Sequence, residues 1–429
     1  MYWNLLIGTK NTSIKNKLMI SVSKSKLTGT VKVSGAKNSA LRLLAASLLT
    51  SERIEINNFP NGLLDVAIHL EMLKALGKDY IISGDTITIT EHQNLNSQLV
   101  WNDRSIRNTL LILGALTARL SEGRVPLPGG CNLGDRKYDL HVNALKTLGA
   151  DVWEEDGYLC AKSKGRLIGN EIFLPIRSTG ATENSIIMGS LAIGKTIIWN
   201  PHIRPEILDL IDMLNSMGAK IKVYGQKCIE VYGVEGLNGT RHSVIPDNME
   251  ALTWAIASVI TNGDVEIENF PYSHLEVPLC FLRESGMKYY KGESSLIVHG
   301  GTPYPIEIST GPYPGINSDM QPLFAVYGAM STGHSKIIDL RFPGRYGYVN
   351  ELKKMGVEYH VDGDMLVITG GNELIGTKVE ALDLRAGIAL LLAGLTAEGE
   401  TSIENDWQIQ RGYENLTQKL SALQVNFKI

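Results

Sequence analysis

The sequence predicts a mixed α/β (α+β) protein of two lobes, each built from three βαβαββ repeats. Two patterns predict this architecture, because they alternate along the 429-residue chain with a period of about seventy residues. One pattern is an amphipathic helix that ends in glycine, and the other is an almost wholly apolar helix that leads into a short strand. A constant period is typical of repeat architectures, in which each unit buries its apolar face against its neighbours.

The amphipathic helices are the outer elements of the predicted lobes. Segments 65–76 and 139–148 mix apolar with charged positions, as helices at a protein surface do. A pair of strands follows each helix, with turns such as 83–85, 155–157 and 361–363. Each helix ends in a leucine-containing pentapeptide that closes with glycine, except in the sixth copy. These pentapeptides are 73–77, 145–149, 214–218, 282–286, 352–356 and 420–424.

The apolar helices form the predicted interior. Runs such as ALRLLAASLL, TLLILGALTA and IALLLAGLTA are apolar nearly all round. A helix of this kind has to bury most of its faces, so we expect sheets to surround it. The helix, its turn and the strand that follows occupy 40–57, 109–127, 185–200, 251–268, 322–339 and 387–404.

The six repeats divide into two lobes. Lobe 1 is predicted at 37–245 with repeats 1–3 and the loop of Cys131, and lobe 2 at 18–36 plus 246–429 with repeats 4–6. The seam lies near 244–247, and a strand around 19–33 completes lobe 2. We expect a ligand site between the lobes, where clefts commonly bind small molecules.

Composition and charge exclude several classes of protein. A formal net charge of −4 argues against a nucleic-acid partner, and no apolar run reaches the ~18 residues that span a membrane. The four cysteines form no CxxC pair and the nine histidines show no metal-ligand spacing, so we expect reduced thiols, a cytoplasmic location and no metal. Neither a Walker A loop nor a GxGxxG motif is present, so no cofactor is predicted.

A glycine-rich loop at 126–141 carries the most reactive candidate side chain. Three glycines and two prolines predict a loop, with Cys131 at its tip and Arg136 and Lys137 behind it. Cations beside a thiol lower its pKa and permit acid–base chemistry. The alternative is an ordinary surface loop with a spare cysteine.

Basic residues recur where helices begin. Lys37 starts a buried helix, which suits an anion held by the lysine and the free N–H groups of the first turn. One arginine at such a place is usually a surface residue, but several in equivalent places indicate a site for a multiply charged small molecule. Asp319 precedes a buried helix and is either an N-cap or a base among these cations. The arginines are Arg107, Arg136, Arg177, Arg204, Arg345, Arg385 and Arg411.

These motifs resemble the enolpyruvyl transferases, most closely those that act on UDP-N-acetylglucosamine. The resemblance covers about 27–423 and implies a two-lobed inside-out α/β barrel. It also implies transfer of enolpyruvate from phosphoenolpyruvate to a sugar hydroxyl. The matching segments are SGAKN at 34–38, LPGGCNLGDR at 127–136, DLH at 139–141, GATEN at 180–184, SDMQ at 318–321, DLR at 383–385 and RGYE at 411–414.

Roles follow from the resemblance position by position. Cys131 would be the general acid and the target of fosfomycin, and Asp319 would accept the proton of the attacking hydroxyl. Lys37 and Arg411 would act in catalysis and, with Arg136, Arg345 and Arg385, bind phosphoenolpyruvate. The other substrate-binding residues would be Asn38, Arg107, Asp139, Leu140 and Asp383.

Several positions depart from the pattern of the enzymes for UDP-N-acetylglucosamine, among them segment 342–345, which reads FPGR. Arg42, Lys137 and Arg204 add cations near the expected acceptor, and Tyr313 and Gln408 stand where histidines are usual. The same chemistry on another acceptor, such as a nucleoside monophosphate, is therefore the alternative. A non-catalytic binding protein of the same fold is the third possibility, and the intact set of candidate catalytic residues argues against it.

Overall fold

The computed structural model describes residues 19–129 and 138–429. Its helices occur in the predicted order, because apolar helices alternate with amphipathic helices along the chain. The helices are α1 (Lys37–Ala46), α2 (Leu64–Ala75), α3 (Thr109–Leu120), α4 (Asp139–Thr147), α5 (Thr179–Leu191), α6 (Pro205–Ser216), α7 (Asn248–Ile260), α8 (Tyr272–Glu284), α9 (Gln321–Ala329), α10 (Val349–Lys354), α11 (Leu384–Gly394), α12 (Trp407–Gln410) and α13 (Leu416–Ala422).

Short strands connect these helices. They are β1 (Met19–Ser23), β2 (Thr28–Lys32), β3 (Ile54–Asn57), β4 (Lys78–Ser83), β5 (Thr86–Glu91), β6 (Glu122–Pro126), β7 (Asp151–Glu155), β8 (Tyr158–Lys162), β9 (Glu171–Phe173), β10 (Lys195–Trp199), β11 (Lys220–Tyr224), β12 (Cys228–Tyr232), β13 (Thr240–Ser243), β14 (Asp264–Glu268), β15 (Lys288–Lys291), β16 (Ser295–His299), β17 (Glu307–Ser309), β18 (His334–Ile338), β19 (Glu358–Asp362), β20 (Met365–Thr369), β21 (Lys378–Glu380), β22 (Glu400–Glu404) and β23 (Phe427–Lys428).

The described strands form six sheets of one topology. In each sheet, the strand that follows a buried helix pairs antiparallel with a two-stranded unit and parallel with a further strand. In the sheet of β6, that parallel partner is reduced to a bridge between Gln98 and Arg124. The strand orders are β13-β3-β5-β4, β6-β8-β7, β9-β10-β12-β11, β2-β14-β16-β15, β17-β18-β20-β19 and β21-β22-β1-β23.

The helices from the apolar runs lie inside, as predicted. All residues of α7, α9 and α11 are buried, and α1, α3 and α5 are buried along most of their length. Buried apolar residues form two clusters, one between 36 and 244 and the other at 20–33 and 249–425. We call them the first and second core. The division into lobes at 37–245 and at 18–36 plus 246–429 stays a prediction, which the two cores support.

The pentapeptide glycines explain the repeat physically. Gly77, Gly149, Gly218, Gly286 and Gly356 all have φ between 94° and 106°, a conformation that glycine adopts at no steric cost when a helix ends. The sixth copy keeps the conformation without the glycine, because Gln424 has φ 58°. The turn therefore persists where the sequence signature has been lost.

Two chain segments cross between the cores side by side. Segment 33–36 leads into α1, and segment 244–247 leads into α7. Ala36 N–H donates to the Ile245 carbonyl at 2.7 Å, and Asp247 N–H donates to the Ser34 carbonyl at 2.9 Å. The strands before α1 belong to the second core, since β1 pairs with β22 and β2 pairs with β14. The crossing thus fixes where α1 begins.

We expect Gly35→Ala to destabilise the protein by about 2 kcal/mol, because overpacking against backbone cannot relax. A Cβ at Gly35 would lie 1.9 Å from the Asn58 carbonyl oxygen. Gly301→Ala is the matched control, since nothing lies within 4 Å of its added Cβ. Urea unfolding measures both variants. Equal free energies of unfolding would contradict the close approach at the crossing.

Candidate functional site

Lys37 is the first residue of α1 and binds carboxylates through both ends. The cap of α1 has no side-chain hydrogen bond of its own, and the Lys37 backbone N–H donates to Asp247 Oδ2 at 3.1 Å. The Lys37 ammonium lies 2.7 Å from Asp65 Oδ2. The expectation that this helix start attracts an anion is therefore met by the protein's own carboxylates.

Asp65 joins cations from both cores. It lies in the first turn of α2 and is 4% exposed. Arg411, which follows α12 in the second core, donates to Asp65 Oδ1 from Nε at 3.1 Å and to Oδ2 from Nη2 at 3.2 Å. We call Lys37, Asp65 and Arg411 the Asp65 cluster. It brings together two of the predicted catalytic residues, which are 374 positions apart in sequence.

The electrostatics of the Asp65 cluster favour ionised groups. Burial raises the pKa of the Asp65 carboxyl, but Lys37 and Arg411 outweigh burial and hold the pKa at about 2. Burial lowers the pKa of the Lys37 ammonium, Asp65 opposes this, and Arg411 and Arg385 add to the lowering. Because Arg385 acts on Lys37, the neighbouring cations belong to one continuous site.

Asp319 gathers a second set of charges. Its Oδ1 lies 3.1 Å from Arg345 Nη1 and its Oδ2 lies 3.4 Å from Arg385 Nε. Arg345 also lies 3.9 Å from Asp383 Oδ2, and Asp383 caps α11 by accepting from the Arg385 and Ala386 N–H groups. We call Asp319, Arg345, Arg385 and Asp383 the Asp319 cluster. Arg385 and Arg345 are nearly buried, whereas the Asp319 side chain is 39% exposed and therefore accessible to a substrate.

The alternative that Asp319 only caps a helix is wrong. Helix α9 has no side-chain cap of its own, and Asn317 Oδ1 instead accepts from the Asp319 and Met320 N–H groups at 2.9 and 3.2 Å. The Asp319 carboxylate is thus left for the arginines. Burial lowers the pKa of Arg385, but Asp319, Tyr413 and Asp247 outweigh burial and raise it.

The predicted acceptor residues lie at helix starts of the first core. Asn38 is half-buried in the first turn of α1, and Arg107 is half-buried just before α3. Asp139 is exposed and Leu140 half-buried in the first turn of α4. Arg107 lies close enough to His141 to lower its pKa, after burial, to about 3. The starts of α3 and α4 therefore lie close together.

Cys131 and Arg136 lie outside the described residues, as does Lys137. Their predicted roles stay predictions. The described segment before them ends at Gly129, whose N–H donates to the Ser105 hydroxyl at 3.3 Å. The described chain resumes at Tyr138, directly before α4.

The extra cations Arg42 and Arg204 are already bound to carboxylates. Arg204 makes two hydrogen bonds of 2.7 Å to Glu206, and Arg42 Nε lies 2.8 Å from Glu183 Oε1. Both arginines are therefore held in place by a glutamate of the first core, as Lys37 and Arg411 are held by Asp65.

The other two departures have structural partners. Gln408 Oε1 accepts from Arg411 Nη1 at 3.1 Å, so it supports the Asp65 cluster. Tyr313 N–H donates to His202 Nε2 at 3.2 Å across the two cores. His202 also pairs with the Thr179 hydroxyl at 2.8 Å through Nδ1.

Sequence reasoning missed Asp65 and Asp247. An acid in the first turn of a helix satisfies the helix dipole without any further role, and Asp247 is an N-cap of α7 with two N–H donors. A signal for Asp65 does exist in the repeat. The three amphipathic helices of the first core all begin with an acid, namely Asp65, Asp139 and Glu206.

Other kinds of site find no support within 19–129 and 138–429. No group of three or more metal-binding side chains occurs there. None of the described helices has the length and apolar character needed to cross a membrane. Cys160, Cys228 and Cys280 are all free thiols.

Cations and carboxylates from two cores, on buried helices enclosed by six like sheets, define an enolpyruvyl transferase. The chain belongs to the EPSP synthase (3-phosphoshikimate 1-carboxyvinyltransferase) family, which it matches over residues 22–420.

Individual relatives agree with this membership. UDP-N-acetylglucosamine 1-carboxyvinyltransferase 1 of Carboxydothermus hydrogenoformans is 42% identical over 405 residues, which cover 94% of this chain and 96% of the relative. The protein of that name from Caldanaerobacter subterraneus subsp. tengcongensis is 39% identical, over 96% and 98% of the two chains. The crystal structure of the enolpyruvyl transferase NikO from Streptomyces tendae superposes with a TM-score of 0.86 at 25% identity, covering 96% of this chain and 98% of NikO.

Proposed function

We propose that the chain transfers the enolpyruvyl group of phosphoenolpyruvate to the 3-hydroxyl of UDP-N-acetylglucosamine and releases phosphate. This is the first committed step of peptidoglycan synthesis. The observation that carries the proposal is that cations of both cores meet at Asp65, close to Arg385 and to the accessible Asp319 carboxylate that Arg385 binds. The relatives named for this reaction, at about 40% identity over nearly the whole chain, support the choice of acceptor.

The cations suit phosphoenolpyruvate, which carries a phosphate and a carboxylate. Lys37 and Arg411 would bind one anionic group, and Arg345 and Arg385 the other, since guanidinium groups bind such anions bidentately. All four side chains are 10% exposed or less. Preorganised charges in a site shielded from water stabilise an anionic intermediate far better than charges in solvent do.

Addition and elimination need one proton donor and one proton acceptor. Asp319 would accept the proton of the sugar hydroxyl as its oxygen attacks C2 of phosphoenolpyruvate, while Cys131 would donate a proton to C3. The tetrahedral intermediate then loses a proton from C3 and releases phosphate, which restores the double bond. The accessible Asp319 carboxylate between two arginines supports the first of these roles.

The acceptor would lie against the first core, along Asn38, Arg107, Asp139 and Leu140. Its nucleotide phosphates would approach Arg107, which lies beside the first turn of α4. An alternative acceptor with a further phosphate would bind Arg42 or Arg204, which Glu183 and Glu206 already hold. The relatives named for UDP-N-acetylglucosamine favour that acceptor over the alternative. The cytoplasmic location predicted from the cysteines remains part of this proposal.

Phosphate release from phosphoenolpyruvate tests the proposal. The purified protein is assayed with UDP-N-acetylglucosamine, UMP and shikimate 3-phosphate in parallel. We expect release with UDP-N-acetylglucosamine alone, at a turnover number near the ~10 s⁻¹ typical of enzymes. Release only with UMP would establish the alternative acceptor, and release with none of the three would contradict enolpyruvyl transfer.

Fosfomycin tests the role proposed for Cys131. We expect one covalent adduct, because a thiolate of lowered pKa opens the epoxide. Intact-protein and peptide mass spectrometry locate the adduct, and Cys131→Ser should abolish it. Cys280→Ser is the matched control, since Cys280 is an exposed free thiol away from the proposed site. Labelling at Cys280 in place of Cys131, or no labelling in the presence of UDP-N-acetylglucosamine, would contradict the role proposed for Cys131.

A further inference from the structure

Arg204, which stands directly before α6, has a structural role that the sequence did not indicate. It is the N-cap of α6, with its backbone extended, and Glu206 follows in the first turn of that helix. A cation at a helix N-terminus opposes the dipole, whereas an acid there is favoured. The two hydrogen bonds from Arg204 to Glu206 overcome this and hold the guanidinium rigidly, with side chains only 15% and 4% exposed.

The fixed guanidinium faces the second core. Arg204 lines a small cavity at the seam together with Asn317 and Met320. Asn317 lies two residues before Asp319 in the sequence, and Met320 directly follows it. The cavity has a volume of about 10 Å³, close to what one water molecule requires. A cavity of this size leaves room for about one water molecule between Arg204 and segment 317–320, which carries Asp319 and which we call the Asp319 loop. Charges on the two sides of such a cavity act on one another more strongly than charges in bulk water.

We propose that Arg204, anchored by Glu206, is a positioning residue that acts on Asp319 across the seam between the two cores. The inference rests on the function proposed above, in which Asp319 is the proton acceptor. Arg345 and Arg385 belong to the same core as Asp319 and pair with it directly. Their effect on Asp319 therefore does not depend on the position of the first core. Arg204 belongs to the first core, and it lines the same cavity as two residues of the Asp319 loop. Its effect on Asp319 therefore depends on the distance between the two cores.

The charges around Asp319 favour this assignment. Burial lowers the pKa of Arg204, and Glu206, Glu183 and Asp319 all raise it, which places Asp319 within electrostatic reach. Two further carboxylates, Asp383 and Asp339, lie near Arg345 and, like Asp319, raise its pKa.

The histidines of the same cavity do not add charge near neutral pH. Burial lowers the pKa of His202 to about 4, with Arg204 adding to the effect. Burial also lowers the pKa of His274. Among the residues that line the cavity, the charged one is therefore Arg204, while Arg177 and Arg341 act on His202 from outside the lining.

The pH profile of kcat/KM tests the proposal. A nearby cation favours the ionised carboxylate, so its loss raises the pKa of the carboxyl group. The paired change Arg204→Met with Glu206→Gln removes both charges without stranding either one in the interior. Because Arg204 acts on Asp319 whereas the loss of Glu206 offsets part of that effect, we expect the acidic limb of the profile, measured with phosphoenolpyruvate and UDP-N-acetylglucosamine, to move upward by about half a pH unit. Arg204→Lys keeps the charge and should leave the limb at its wild-type position.

The matched control is a bidentate pair elsewhere in the first core. Arg119 makes two hydrogen bonds of 2.7 Å to Glu91, so Arg119→Met with Glu91→Gln removes a bidentate pair away from the seam and also takes the carboxylate partner from the buried Lys78. We expect that variant to lose stability and to keep the wild-type limb. An unchanged limb in the Arg204 and Glu206 variant, or an equal shift in the control, would overturn the proposal. A wild type that fails to use UDP-N-acetylglucosamine would instead contradict the proposed function.

Discussion

Asp319→Asn lowers the turnover number by about 10²- to 10⁴-fold, the range expected when a general base is lost. The amide has the size of the carboxylate, but it cannot accept the proton of the sugar hydroxyl. Phosphoenolpyruvate binding should persist, because Arg345 and Arg385 lose a competing carboxylate rather than a partner needed for the ligand. Steady-state phosphate release gives the turnover number, and calorimetry gives the affinity for phosphoenolpyruvate.

Asp264→Asn is the control for this change. Asp264 is an exposed aspartate that pairs with Lys26 and His299 at the surface of the second core. Surface pairs contribute little, so this variant should match the wild type in both measurements. A turnover number for Asp319→Asn within threefold of the wild type would show that another group accepts the proton.

Asp65→Asn destabilises the ligand-free protein by about 4 kcal/mol, the cost of leaving buried charges without their partner. Lys37 and Arg411 would then face a neutral amide whose single oxygen accepts at most two hydrogen bonds, where the two oxygens of the carboxylate accept three. Phosphoenolpyruvate or inorganic phosphate supplies the missing negative charge, so either ligand should stabilise the variant more than the wild type. Urea unfolding with and without each ligand measures both effects.

The contribution of Asp65 also depends on pH. Its pKa in the folded protein is about 2, below the ordinary value of 3.8, so the stabilisation is complete above about pH 4 and is lost as the pH falls towards 2. A shift of this size corresponds to about 2 kcal/mol. The difference between wild type and Asp65→Asn should therefore shrink over that interval. A difference that is constant down to pH 2, or equal stabilisation of both proteins by phosphate, would contradict the cation pairing.

The repeat explains why much of the fold could be predicted. Each buried helix must be apolar on all faces and each turn needs a left-handed residue, and both requirements leave marks in the sequence. The sixth repeat shows the limit, because Gln424 adopts φ 58° where the signature lacks its glycine. The strand expected around 19–33 is two strands, β1 and β2, and each completes a sheet of the second core.

The site was only partly predictable because its contacts join distant segments. Asp65 and Arg411 are 346 positions apart and Arg42 and Glu183 are 141 apart, and no local pattern links either pair. The cations were recognisable from their places at helix starts, but the carboxylates that neutralise them were not. Arg42 and Arg204 consequently suggested a second phosphate site, whereas the structure pairs each of them with a glutamate.

The most direct test of enolpyruvyl transfer to UDP-N-acetylglucosamine is the NMR spectrum of the product formed in D₂O. We expect an enolpyruvyl ether at the 3-oxygen of the sugar and one phosphate released per product. Deuterium should appear in the vinyl methylene, because C3 gains a proton from the enzyme and then loses one during elimination. A sugar nucleotide that is unchanged while phosphate is released, or a product without deuterium, would contradict the account.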